Sequence, residues 1–364
     1  MRASIAGATL LLTVLLSPGL AACAVLSQAP TARTAPATSP QGTSLPKVRL
    51  VATGGTISNR TGGRLTAEEL VNSMPGLERV ARPEFEQFAN TSSAALTLKQ
   101  WVDLANRINT LLTDDTDLSG IVVTSGTDTL EETAYFLDLT LHTEKPVVVV
   151  GSMRNPSTLG YEGAANLLDG YRVAADPASR GKGVLVVLND EINSARDVTK
   201  TDAHRLDTFQ SRDYGILGVV DADRVVYYRD VVKRHTSRSE FDVSHLDTLP
   251  RVDVVMTYQG ASGDVIKAIV DQGARGIVIA SAGAGATSGT QDEGIRYATD
   301  KGVFVVTTTR TGSGRIASRG RGSSGTRFQI QGEDLAPVKA RILLMLALTK
   351  TKDGADIQRM FTEY

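Results

Sequence analysis

Two stretches of the chain bring hydroxyls and glycines together in a pattern suited to attack on a carbonyl carbon. Thr53-Gly54-Gly55-Thr56 and Ser125-Gly126-Thr127-Asp128-Thr129 each set threonine beside glycine directly after a short apolar run. Glycine in such a turn permits close backbone approach and leaves N–H groups free to meet an anion. A threonine hydroxyl is a weak nucleophile until a base lies beside it. Asp128 and a lysine such as Lys200 would supply that polarisation, because a buried lysine shifts its pKa readily. On residue types alone, an ordinary turn after a strand remains the simpler account of both stretches.

Other machinery is missing from the pattern. The four histidines, His142, His204, His235 and His245, stand in no metal-ligand spacing, so no metal site is expected. There is no Gly-x-Ser-x-Gly elbow and no phosphate-binding Gly-x-x-x-x-Gly-Lys-Ser/Thr loop. No haem or flavin signature stands out, and no cofactor is expected. Thirty-nine basic residues nearly balance forty acidic ones in 364, which leaves no net field to draw the protein to nucleic acid.

The elements that would position the threonines read as α/β. Val48–Ala52, Gly120–Val123, Val147–Val150 and Val184–Leu188 are continuous apolar strands, as in a parallel sheet covered on both faces. Each ends in glycine or small polar residues, and ligand sites of open α/β sheets lie at those carboxyl ends. Thr129–Glu132 fits a capping box opening a helix over Leu130–Leu141, and Leu98–Leu112 is a second helix. A second α/β unit has strands Val252–Met256, Gly276–Ala280 and Val303–Thr307, with helices Val265–Gln272 and Pro337–Thr349. The expected architecture is two α/β domains, a larger N-terminal one over residues 48–228 with a mainly parallel sheet and a smaller one over 251–364. A polar connector, 229–250, joins them. The Gly/Ser/Arg-rich segment Gly312–Gly325 reads as a surface loop, or else as one that closes over a neighbouring subunit's site.

The N-terminus differs in character. Ile5–Leu16 is apolar and of signal-peptide size, and Leu20-Ala21-Ala22-Cys23 resembles a lipoprotein signal box with Cys23 at the lipidated position. Residues 24–47, rich in Pro, Ala, Ser and Thr, read as a tether with a reach of roughly 25–30 Å. The expectation is an extracytoplasmic protein, membrane-bound only through a lipid anchor or else secreted. With one cysteine in the chain, no internal disulfide can form.

Longer matches add to this reading. Ala52-Thr53-Gly54-Gly55-Thr56-Ile57 resembles the first signature of bacterial type II L-asparaginases, and Gly126 through Leu137 resembles the second. Lys145–Arg154, Gly183–Asp190, Ala195–Lys200 and Lys339–Leu348 are similar to further family segments in the same order, so that the resemblance runs from about Val48 to Tyr364. It implies a threonine-dependent amidohydrolase acting on L-asparagine. Thr56 would be the nucleophile, and Thr127 with Lys200 a second proton-handling group that activates water or Thr56 itself. Asp128 would hold the substrate ammonium and Ser93 its α-carboxylate. Backbone N–H groups near Gly55 and Thr127 would steady the oxyanion. A homotetramer built from close dimers is implied, or at least a homodimer.

The sequence also departs from the family. The loop after the first signature, Ser58–Arg64, lacks the family's tyrosine, and ungapped counting puts Arg60 near its place. Ala94 replaces a frequent glutamine, Gly260 stands for an asparagine of the second domain, and Arg315–Gly325 holds no counterpart of a late acidic residue. Weaker affinity and poor use of L-glutamine are expected. A broad glutaminase-asparaginase or another ω-amidase fits the same signatures. A solute-binding lipoprotein would explain the N-terminus and two lobes, but not two threonine signatures with Lys200.

Overall fold

The computed structural model describes residues 44–317 and 327–364. An eight-stranded sheet forms the first half of these residues. From one edge its strands are Val225–Tyr227, Gly218–Val220, Glu191–Ser194, Val184–Leu188, Val147–Val150, Leu118–Thr124, Lys47–Gly54 and Arg82–Thr91. The run from Val184–Leu188 to Arg82–Thr91 is parallel, and the other three strands join antiparallel. Val147–Val150 and Val184–Leu188 are buried at every position, as continuous apolar runs in central parallel strands should be.

Helices Leu98–Asp114 and Leu130–Thr140 cover one face of this sheet, and Ala67–Asn72 and Gly163–Ala175 the other. The edge strand Arg82–Thr91 is guarded by charge. Its Glu84 pairs with Arg49, and its Glu86 takes Arg107 at 2.7 Å.

The second sheet is wholly parallel, in the order Val252–Met256, Gly276–Ser281, Phe304–Thr309, Gln329–Gln331. Helices Asp264–Asp271 and Gln291–Asp300 lie on one face. Helix Pro337–Lys350 lies on the other and is apolar nearly all round, as a helix buried on every side must be. It packs against both its own sheet and helix Leu130–Thr140, so that one core runs through both halves. Residues 229–250 carry only the short turn Thr236–Arg238, yet they place Phe241 and Val243 in that core.

The capping box expected at Thr129–Glu132 does not form. Thr129 precedes the helix at φ −128°, ψ 22°, and its side chain makes no capping bond. The amide of Thr129 instead donates to Ser93 Oγ at 3.3 Å. The two glutamates are engaged elsewhere: Glu131 with Thr199 and Lys200, and Glu132 with Arg341 of the buried helix. The predicted signal segment, Cys23 and all but the last residues of the tether lie outside the described residues, as does most of Gly312–Gly325.

Candidate active site

The site begins where two neighbouring strands end. Thr53 donates its amide to Thr124 Oγ1 at 3.2 Å and its hydroxyl to the Thr124 carbonyl at 2.6 Å, which locks the ends of Lys47–Gly54 and Leu118–Thr124 together. Just beyond, Gly55 takes φ 92°, and a Cβ there would fall 2.3 Å from the Gly126 nitrogen. Only glycine tolerates both conditions. The two backbones therefore touch at Gly55 and Gly126, with Thr56 next on one chain and Thr127 next on the other.

Thr56 is half-buried and opens a single 3₁₀ turn, Thr56–Ser58. Two bonds fix this turn from outside the threonine. Ser58 Oγ donates to the Gly55 carbonyl at 3.0 Å, and the Tyr161 hydroxyl donates to the Ile57 carbonyl at 2.9 Å. Burial pushes the Tyr161 phenol above its ordinary pKa, so it stays a donor. Sequence reasoning missed Tyr161. It arrives on the loop after Val147–Val150, and nothing in its spacing announces a role. The Gly55 amide is already given to the Thr91 carbonyl at 2.8 Å, while the amides of Thr56 and Thr127 donate to no described residue.

Thr127 is buried, and Lys200 Nζ lies 3.0 Å from its Oγ1. The same ammonium group is 3.0 Å from Asp128 Oδ1, whose side chain is 77% exposed and so faces solvent at the mouth of the site. Lys200 comes from a two-residue strand, Thr199–Lys200, paired with Phe209–Gln210. Glu131 steadies this strand, its Oε1 accepting from Thr199 Oγ1 at 3.0 Å and from the Lys200 amide at 3.1 Å. Ser93 sits behind the second loop, buried, so close that a Cβ on Gly126 would stand 2.9 Å from its Oγ. The structure thus gathers Gly55, Thr56, Ser93, Thr127, Asp128 and Lys200 at adjoining strand ends.

The remaining singled-out residues go elsewhere. Arg60 turns outward to Glu69 at 3.0 Å and is exposed. Its short hairpin, Asn59–Arg60 with Gly63–Arg64, is tied down by the Thr61 amide donating to Ser157 Oγ at 2.9 Å. Ala94 is exposed beside buried Ser93. Gly260 lies past the end of Val252–Met256 at φ 73° with open space around its Cα, and its amide donates to Ser288 Oγ at 3.0 Å. Arg315 pairs with Glu333.

Comparison with known proteins covers nearly all of the described chain. The family description "Asparaginase, N-terminal" matches residues 47–233, and "Glutaminase/Asparaginase C-terminal domain" matches residues 251–361. The chain is 42% identical over 347 residues to L-asparaginase 2 of Bacillus subtilis, covering 93% of this chain and 92% of that one. It is 42% identical over 329 residues to L-asparaginase 2 of Escherichia coli, covering 88% and 94%. A solved structure, that of a probable cytoplasmic L-asparaginase from Campylobacter jejuni, superposes with a TM-score of 0.81 at 38% identity, covering 88% of this chain and all of the other. That last likeness corrects the extracytoplasmic, lipid-anchored placement read from residues 1–23, since a protein of this fold is described as cytoplasmic. An apolar run ending in small residues and a cysteine is a pattern of composition alone.

Proposed function

The chain belongs to the asparaginase/glutaminase family and hydrolyses the side-chain amide of L-asparagine to L-aspartate and ammonia, and we propose that it does so through Thr56 as nucleophile. The observation that supports this reading is the Lys200–Thr127 bond of 3.0 Å beside the Gly55–Gly126 contact, where the loops of Thr56 and Thr127 meet. Thr56 Oγ1 adds to the amide carbon. The carbon–nitrogen bond then breaks, ammonia leaves, and an acyl ester remains on Thr56. Water adds to that ester and releases aspartate, restoring the hydroxyl. The proton lost by Thr56 and the proton gained by the departing nitrogen pass through Thr127 and Lys200.

The amides of Thr56 and Thr127, which donate to no described residue, would serve the oxyanion, a contribution worth roughly 3–4 kcal/mol per donor in comparable sites. Asp128 takes the substrate ammonium and Ser93 the α-carboxylate. Ammonia release from L-asparagine by wild type and by Thr56→Ala tests the assignment. The variant is expected to fold and lose turnover, and a variant that keeps it removes Thr56 from the role.

We also propose that the protein works as a homo-oligomer, a tetramer or a dimer. Val254 and Met256 alternate along the edge strand of the second sheet, 38% and 57% exposed, and Tyr258, 54% exposed, follows just past its end toward Gly260. Exposed apolar residues at such an edge suit a subunit contact. Sedimentation of the purified protein tests this, and a monomer at all working concentrations would overturn it.

A further inference from the structure

We propose that Lys339, in the first turn of helix Pro337–Lys350, is a positioning residue that holds Lys200 in place from the second domain. The inference rests on the reading of Lys200 as the proton-handling lysine. The Lys339 side chain is 1% exposed. Its Nζ donates to the carbonyls of Ala195 at 3.0 Å, Arg196 at 2.8 Å and Val198, which uses all three of its N–H bonds. These carbonyls belong to the turn that leads directly into Thr199–Lys200.

Glu131 supplies a second link. Its Oε1 accepts from Thr199 and Lys200, as described above, while its Oε2 lies 4.0 Å from Lys339 Nζ. That second oxygen is buried and accepts no hydrogen bond from the described residues, so Lys339 is its counterion. The other titratable groups facing Lys339 are Arg196, Asp197 and Asp138. Arg196 is itself held by Asp334 through two bonds of 2.8 Å. One ammonium group thus pins the turn before Lys200 and balances the carboxylate that grips the Lys200 strand.

A purely space-filling role does not call for a lysine. Burial, with a smaller push from Arg196, pulls the Lys339 pKa down to about 8, against the pull of Glu131 and Asp197. An apolar side chain of equal length would fill the space without burying a charge. What the ammonium adds is a fixed turn and a neutralised Glu131.

The test uses the full chain with Lys339→Met, Glu131→Gln and the two together, each checked by melting and gel filtration. For Lys339→Met, kcat on L-asparagine is expected to fall roughly 10–100-fold, as when partners behind a site residue are lost, with KM within about twofold. The double variant is expected to be no slower than Lys339→Met alone, because Glu131→Gln removes the buried charge that Lys339→Met leaves unbalanced. An unchanged kcat in the folded variant, a loss carried by KM, or losses that multiply in the double variant would each overturn the proposal. If Lys339→Met does not fold, Glu131→Gln must show the same selective loss of kcat, and unchanged kcat there overturns it. Activity retained by Thr56→Ala sinks the nucleophile assignment alone and leaves these comparisons standing.

Discussion

Lys200 reaches the Thr127 hydroxyl across 3.0 Å although the two residues are 73 positions apart in the chain. No other cation among the described residues makes a hydrogen bond to this hydroxyl, and the threonine is buried. Lys200→Met keeps the length of the side chain and removes the ammonium group proposed to carry the proton. Turnover on L-asparagine is expected to drop roughly 10²–10⁴-fold while circular dichroism stays native. A folded variant with most of its activity would mean that the protons travel another way.

Tyr161 holds the Thr56 turn through a single bond to the Ile57 carbonyl. Tyr161→Phe removes that bond and little else. The expected cost is about 0.5–1.5 kcal/mol, seen as a fall in kcat of up to about tenfold with KM nearly constant. Equal kcat in the two proteins would show that Ser58 and the backbone fix the turn unaided.

The thinned ammonium side bears on specificity. The family resemblance sets Ala94 and Gly260 where longer polar side chains are expected, so catalytic efficiency on L-glutamine is expected to lie well below that on L-asparagine. Gly260→Asn should lower KM for L-asparagine in the assembled protein, since the position has open space and asparagine tolerates its positive φ. Comparable efficiency on both amides, or a KM unmoved by the asparagine, would sink this account.

Much of the architecture was legible before any coordinates. The apolar strands announced themselves because central parallel strands need hydrophobic side chains on both faces. The helix Gly163–Ala175 did not, for it carries Gly170 in its interior, which weakens the helical pattern. That glycine is required by contact, since a Cβ there would stand 2.6 Å from Val150. The edge strand Arg82–Thr91 was hidden by the charges that protect it. At the site, Thr56, Thr127 and Asp128 follow recognisable signatures. Tyr161 and Lys339 act through backbone carbonyls, which leave no mark in residue type.

Asp138 gives a pH signature for stability. It is fully buried, and burial raises its pKa from 3.8 to about 7, with Asp197 adding to the effect. The folded protein therefore keeps a proton that the unfolded chain releases near pH 4. Stability falls as pH rises through the window from about 4 to 7 and stays lowered above it. Asp138→Asn preserves an acceptor for the Val184 amide, now 2.8 Å away, and abolishes the titration. It should raise the melting temperature at pH 8, by a few kcal/mol in stability and about 4 at most, and give no gain at pH 4. A gain equal at both pH values would rule out this carboxyl.

The buried helix that ends in Lys350 has a meaning for synthesis as well as for geometry. A ribosome releases Thr56, Thr127 and Lys200 long before it releases Asp334 and Lys339, on which the Arg196 turn depends. The nascent chain would then carry its reacting groups in an idle arrangement and become an enzyme only when the second domain docks. Separately made pieces, 44–250 and 251–364, offer a direct reading of this delay. Ammonia should appear on mixing them, and its release by the first piece alone would show that no such interlock exists.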